Sequence, residues 1–181
     1  MRTNHKKSAS RSSHEVPERK RTSLGHYVTA EEAYEMWKSG PERVHILDVR
    51  TPEEYVFVGH AEMARNIPVL FVKHEWNAET KQFVMELNPD FIDEVKRQFK
   101  PTDTLLVMCR SGDRSAMAVN TLAKAGFVDV YNIIDGMEGD MVDDPTSKHH
   151  GKRIKNGWKN CGSPWTYDVN PEQTCLTNVR K

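Results

Sequence analysis

The sequence predicts an α/β protein whose central, mostly parallel β-sheet is flanked by helices. Three observations lead there. Short apolar runs rich in branched residues, above all "RVHILDVR" and "DTLLVMC", alternate along the chain with stretches of helical period. Both runs end abruptly in charged or reactive residues, as buried strands do when they deliver polar groups at their carboxyl ends. Strands that alternate with helices are joined by crossovers, which lay them side by side in parallel.

The elements follow in order. "TAEEAYEMWKSG" reads as a helix with Thr29 as cap, Glu31 and Glu32 favouring its first turn and Gly40 stopping it. After the strand "RVHILDVR", Thr51 caps a second helix with Pro52 at its first position. "ARNIPVL" is a short strand candidate. From Lys73 to Phe83 the chain is polar and aromatic without a clear period, which reads as an insertion or long loop. "NPDFIDEVKRQFK" is an amphipathic helix, Asn88 capping it ahead of Pro89 and Phe91, Ile92, Val95 and Phe99 forming one stripe. The strand "DTLLVMC" leads to the helix "RSAMAVNTLAKAG", whose Ala116, Val119, Leu122 and Ala123 face one way and whose end Gly126 caps. "VDVYNII" is a last strand, turned by "DGMEG".

A chain of 181 residues holds one ordinary domain with a proper core, plus tails. Residues 1–25 are basic and serine-rich with few large apolar side chains, so a disordered arm is expected there. Residues 26–140 form the domain, and residues 141–181 form an extension that Trp158, Trp165 and Tyr167 pack back onto it. Lysine plus arginine and aspartate plus glutamate both number 26, which gives no global reason to expect nucleic acid or a membrane surface as partner. The arm partly fits an organellar transit peptide, but Glu15, Glu18 and the missing apolar stripe speak against one. With three cysteines and no secretory h-region, the expected compartment is the cytoplasm, an organelle or the periplasm being the alternatives.

One stretch carries chemistry. In "MCRSGDRS", Cys109 follows a buried strand and precedes a helix expected to begin about six residues later, at Ser115. Loop amides curled ahead of a helix N-terminus make a nest for an anion, and the same field favours the nucleophilic thiolate. Arg110 and Arg114 add positive charge, and Gly112 permits the backbone angles of a tight cradle. A structural cysteine would sit in apolar company, which "RSGDRS" does not supply.

"CRSGDRS", the upstream "ILDVRTPEEYVFVGHAEMARNIPV" and the closing "GFVDVYNIIDGMEG" together resemble the rhodanese family of single-domain sulfurtransferases, over about Tyr27 to Gly139. The resemblance implies a rhodanese-like three-layer fold and a relay through a covalent Cys109 persulfide, with no metal and no organic cofactor. A small anionic donor such as thiosulfate would give its sulfane sulfur to Cys109. Cyanide, a small thiol or a protein thiol would accept it. Arg110, Ser111, Gly112, Asp113, Arg114 and Ser115 would bind the donor and the persulfide, the two arginines steadying sulfite as it leaves. Asp48 and Arg50 match the family's Asp-x-Arg and would brace the edge of the site; Gly59 and His60 match its Gly-His turn, His60 as a structural hydrogen-bonding residue. The chain departs from the family in Gly136-Met137, where Gly-Gly is common, in the segment around Lys73–Phe83 and in its long tail, so donor and acceptor preference is not carried over.

Two rivals stand beside this reading. Phosphatases and arsenate reductases on related folds resemble one another in having five residues between cysteine and arginine; here four separate Cys109 from Arg114, and the next arginine is Arg153. A non-catalytic binding module is the other, although such modules usually lose the cysteine that this chain keeps. His74, His149 and His150 show no metal-ligand spacing. Cys161 reads as half-buried before it reads as a resolving thiol, and a Cys161–Cys175 bridge stays open.

Overall fold

The computed structural model describes residues 16–174. Chain order runs β1 (Tyr27–Val28), α1 (Ala30–Ser39), β2 (Val44–Asp48), α2 (Pro52–Val58), β3 (His60–Ala61), β4 (Arg65–Asn66), β5 (Leu70–Asn77), β6 (Gln82–Leu87), α3 (Phe91–Gln98), β7 (Thr104–Met108), α4 (Asp113–Lys124), β8 (Val130–Ile133) and β9 (Trp165–Thr166). Five strands form one parallel sheet in the order β1-β8-β7-β2-β4. The α/β architecture expected from the alternation is therefore present.

Side chains alternate across the sheet and build a core on each face. Leu105 and Val107 of β7 pack with Phe91 and Val95 of α3 and Ala118, Val119 and Leu122 of α4. Leu106 and Met108 point the other way, to Ala30 and Ala33 of α1, Tyr55 of α2 and Trp158. Both N-terminal helices begin as their sequences dictate. Thr29 and Thr51 each accept the N–H three residues on, while Glu32 and Glu54 reach back to the cap N–H, two complete capping boxes.

Four expectations need correction. The segment around Lys73–Phe83 is no loop but part of the antiparallel hairpin of β5 and β6. Most of its residues are exposed on both faces, so it carries no apolar alternation to mark it as strand. Helix α3 starts at Phe91, with Asp90 as cap residue; Asn88 instead closes a turn, its Oδ1 accepting the Asp90 N–H at 3.0 Å. Helix α4 begins at Asp113, two residues before Ser115, because Gly112 takes a left-handed conformation and serves as cap residue. Finally, the disordered arm does not extend to residue 25. Val16 and Lys20 are buried, and Lys20 Nζ donates to the Ile134 carbonyl (2.8 Å) and to Asp140 (2.7 Å). A buried basic side chain orders this segment by finding a carbonyl and a carboxylate on distant parts of the chain, contacts that composition does not reveal. Residues 1–15 of that arm lie outside the described residues.

The C-terminal stretch closes over the α1–α2 face. Strand β9 pairs antiparallel with β3, and the Trp158 ring is fully buried, its Nε1 donating to the Pro164 carbonyl at 2.9 Å. Asp135 ties this stretch to the domain by accepting the N–H of Ala30 and that of Gly157. Among the described residues no helix is long and apolar enough to cross a membrane. Trp158→Ala should cost about 3–5 kcal/mol, the range for emptying a buried aromatic site. A urea unfolding midpoint unmoved by that change would mean that the tail is not part of the folded core.

Candidate active site

Cys109 follows β7 directly and shares the sheet face of Leu105 and Val107, which turns its thiol toward α4. The residue is 1% exposed. The loop of Arg110, Ser111 and Gly112 is short, and it is held from both sides. Asn132 of β8, on the same sheet face, donates through Nδ2 to the Gly112 carbonyl at 3.0 Å, and its Oδ1 accepts from Ser115 Oγ at 2.6 Å. Its Nδ2 also reaches the Lys20 carbonyl at 3.0 Å. From the other side, the N–H groups of Met137 and Glu138 donate to the carbonyls of Cys109 (2.8 Å) and Arg110 (3.0 Å).

Two glycines make this closeness possible. Gly112 has φ +102°, and a Cβ there would lie 2.4 Å from the Ile134 oxygen. Gly136 has φ +59°, and a Cβ there would lie 2.5 Å from the Cys109 oxygen. With Gly112 so placed, its N–H donates to Cys109 Sγ at 3.1 Å, and Ser115 Oγ lies 3.4 Å from the same sulfur. The sulfur thus meets a backbone donor, a hydroxyl and the N-terminal turn of α4, an arrangement that stabilises negative charge on it.

The charges around the loop are paired. Arg114 meets Glu54 in a two-pronged contact, both distances 2.6 Å. Burial alone would push the Glu54 carboxyl up, but the hydrogen bonds and charge of Arg114 outweigh it and hold Glu54 below its ordinary range. Arg110 Nε contacts Glu138 at 2.9 Å, and Asp113 pairs with Arg19 at 3.0 Å. The two arginines therefore do not stand free as the sequence suggested; Arg114 is committed to α2, and half-exposed Arg110 keeps the rim. Behind them lies the buried pair of Asp48 and Arg50, with Arg50 Nη2 2.6 Å from Asp48 and 2.9 Å from the Gly59 carbonyl. Asp48 stands opposite Met108 in the sheet register, one residue from Cys109. His60 stacks on Tyr55 with ring centroids 3.7 Å apart, and its Nδ1 donates to the Tyr55 carbonyl at 3.0 Å.

An open cavity of about 560 Å³ lies over the thiol. One wall is the loop with Arg110, Ser111, Asp113 and Arg114, Cys109 and Glu54 joining it; the other is the hairpin, through Val72, Trp76, Lys81, Phe83 and Met85. Of the expected site residues, Gly112, Ser115, Asp48 and Arg50 do not line this cavity; Ser115 is fully buried beneath the thiol. Sequence reading missed Glu54, Glu138, Asn132 and the hairpin wall. Asn132 alone left a signal, as a polar residue inside the apolar run "VYNII". Arg153 donates to the Gly139 carbonyl and Cys161 sits beside Ser163 Oγ at 3.2 Å, both apart from this cavity. Cys175 lies outside the described residues.

Comparison with known proteins gives concordant results. The family model described as a rhodanese-like domain matches residues 29–141. A chloroplastic protein of Arabidopsis thaliana named thiosulfate sulfurtransferase 16 is 40% identical over 90 residues, which are 50% of this chain and 68% of that protein. An uncharacterised protein of Rickettsia conorii is 28% identical over 140 residues, 77% of this chain and 96% of its own. The crystal structure of Rv0390 from M. tuberculosis superposes with a TM-score of 0.62 at 26% identity, covering 79% of this chain and 98% of that one.

Two outcomes follow from the geometry. Gly112→Ala should lower stability and slow alkylation of Cys109 together, since the new Cβ displaces the cradle from Ile134; an alkylation rate equal to wild type would contradict the cradle. The lowered folded value of Glu54 means that its pairing stabilises the protein above the ordinary glutamate pKa, roughly 4.3, and that this contribution is lost as pH falls through the folded value. The stability gap between wild type and Glu54→Gln should therefore be widest near neutrality and shrink in acid, read from urea midpoints across pH.

Proposed function

The chain belongs to the rhodanese-like domain family, and on that premise we propose that it is a sulfurtransferase carrying a sulfane sulfur as a Cys109 persulfide. The observation that supports this most is the short ring around Cys109 Sγ, in which the Gly112 N–H lies 3.1 Å from the sulfur. A donor such as thiosulfate enters the cavity with its outer sulfur toward Cys109. The thiolate attacks that sulfur, a new S–S bond forms, and the old S–S bond breaks with its electron pair leaving on sulfite. Half-exposed Arg110 meets the anionic donor at the rim. Arg114 contributes differently, by fixing the start of α4 against α2 through Glu54.

Ser115 has one hydroxyl proton and two neighbours, Asn132 Oδ1 at 2.6 Å and Cys109 Sγ at 3.4 Å. With a neutral thiol, the S–H points to Oγ and the hydroxyl to Asn132; with an anionic sulfur, the hydroxyl turns to it. The acceptor, cyanide or a thiolate, then attacks the outer sulfur of the persulfide, and the electron pair of the S–S bond returns to Cys109. Every bond made or broken is to sulfur, so the cycle asks for no metal or organic cofactor.

The test pairs two assays. Cys109→Ser should reduce sulfur transfer from thiosulfate to cyanide by about a thousandfold or more, as removal of a covalent nucleophile does, with an unchanged unfolding midpoint. Retention of more than a tenth of the activity would sink the assignment. Hydrolysis of p-nitrophenyl phosphate faster than thiosulfate turnover would replace it with the phosphatase reading.

A further inference from the structure

The hairpin of β5 and β6 is built as an apolar wall aimed at the cysteine, although its sequence looked like filler. Val72 pairs across the ladder with Met85, and Trp76 with Phe83. Between those two pairs β5 carries residues 73–75 and β6 carries residue 84 alone, so the extra length is two residues. Val72 and Trp76 are four apart and Phe83 and Met85 two apart, even spacings that put both pairs toward one face. All four side chains line the cavity over Cys109. Trp76 and Phe83 meet edge to face with ring centroids 5.4 Å apart, yet remain 58% and 53% exposed. The edge-to-face pair steadies the ladder, but the ring surface left in water is apolar area that a ligand in the cavity would cover.

The cavity gives that ligand its size and charge. Its volume of about 560 Å³ falls within the span of small-molecule sites, roughly 300–1,000 Å³, whereas a thiosulfate ion fills only a small part of it. Glu54 and Asp113 are neutralised by Arg114 and Arg19. Lys81 lines the cavity and has no ion-pair partner among the described residues, and half-exposed Arg110, its charge shared with Glu138, lines the same cavity. An occupant that suits the whole space has an anionic sulfur end and an apolar, preferably aromatic, body.

We propose that the hairpin is a specificity element that selects organic sulfane-sulfur anions of the thiosulfonate class, with an aromatic or extended apolar group on the sulfonyl sulfur, over thiosulfate-sized donors. The proposal rests on the sulfurtransferase reading and adds the body of the donor to it. The chemistry is balanced: the Cys109 thiolate takes the outer sulfur of R–SO₂–S⁻, the S–S bond of the donor breaks, and its electron pair leaves on the sulfinate R–SO₂⁻. Trp76 and Phe83 hold R against the wall while Arg110 and Lys81 face the sulfonyl oxygens.

The experiment compares benzenethiosulfonate with methanethiosulfonate, which present the same sulfur on different bodies. In the wild type kcat/KM should favour the phenyl donor by about tenfold or more, the worth of burying a ring against apolar side chains. In the double variant Trp76→Ala, Phe83→Ala that ratio should collapse toward the intrinsic ratio seen with a free thiol. A second readout does not need turnover: binding of benzenethiosulfonate to Cys109→Ala, followed by calorimetry, should weaken by about tenfold when the two rings are also removed. A phenyl preference absent from the wild type, or surviving loss of both rings, overturns the proposal. No turnover of either donor with ring-dependent binding retained supports the hairpin's role and defeats the sulfurtransferase reading instead.

Discussion

The buried side chain of Asn132 joins three segments that the sequence keeps far apart. Its amide donates to the carbonyls of Gly112 and Lys20 and accepts from Ser115. A primary amide inside a core must find such partners or lose several hydrogen bonds at once, so its position on β8 dictates where the cysteine loop and the first turn of α4 can lie. The left-handed Gly112 follows from this, since only a backbone that turns tightly can present its carbonyl to Asn132 and its N–H to Cys109 Sγ. The cradle is thus set by the sheet beneath it more than by the charges around it.

Those charges have a different task. Each ion of the rim is matched by one from another element, Arg114 by Glu54 of α2, Arg110 by Glu138 beyond β8, and Asp113 by Arg19 of the N-terminal segment. The two more exposed pairs add little stability singly, but together with the half-buried Arg114–Glu54 pair they fasten the loop to three parts of the fold. The field at the sulfur then comes from the Gly112 N–H and the helix terminus, groups that cannot swing away, joined by the Ser115 hydroxyl when it turns from Asn132. A rigid cradle of such donors needs no reorganisation to meet an anion.

Local rules carried the sequence reading as far as local rules reach. Thr29 and Thr51 each stand three residues before the glutamate that completes a capping box, so α1 and α2 were readable nearly to the residue. The strand "DTLLVMC" and the loop after it marked Cys109 as the candidate nucleophile, because a buried run that ends in a cysteine, two arginines and a glycine suits an anion-binding turn. What escaped was set by contacts distant in sequence. Nothing near Arg114 tells that Glu54, sixty positions earlier, will take its fork. Nothing in "ERK" shows that Lys20 will be buried against Ile134 and Asp140. The hairpin escaped for a third reason: strands open to solvent on both faces have no burial pattern to betray them, and its apolar residues make sense only above a cysteine more than twenty positions downstream.

The central claim is that the ring around Cys109 holds a single terminal sulfur, and peptide-level mass spectrometry after incubation with thiosulfate tests it most directly. The account predicts a gain of one sulfur atom on the peptide that contains Cys109, removed by cyanide and absent from the peptide that contains Cys161. An unmodified Cys109 peptide, or sulfur found only on Cys161, would contradict it.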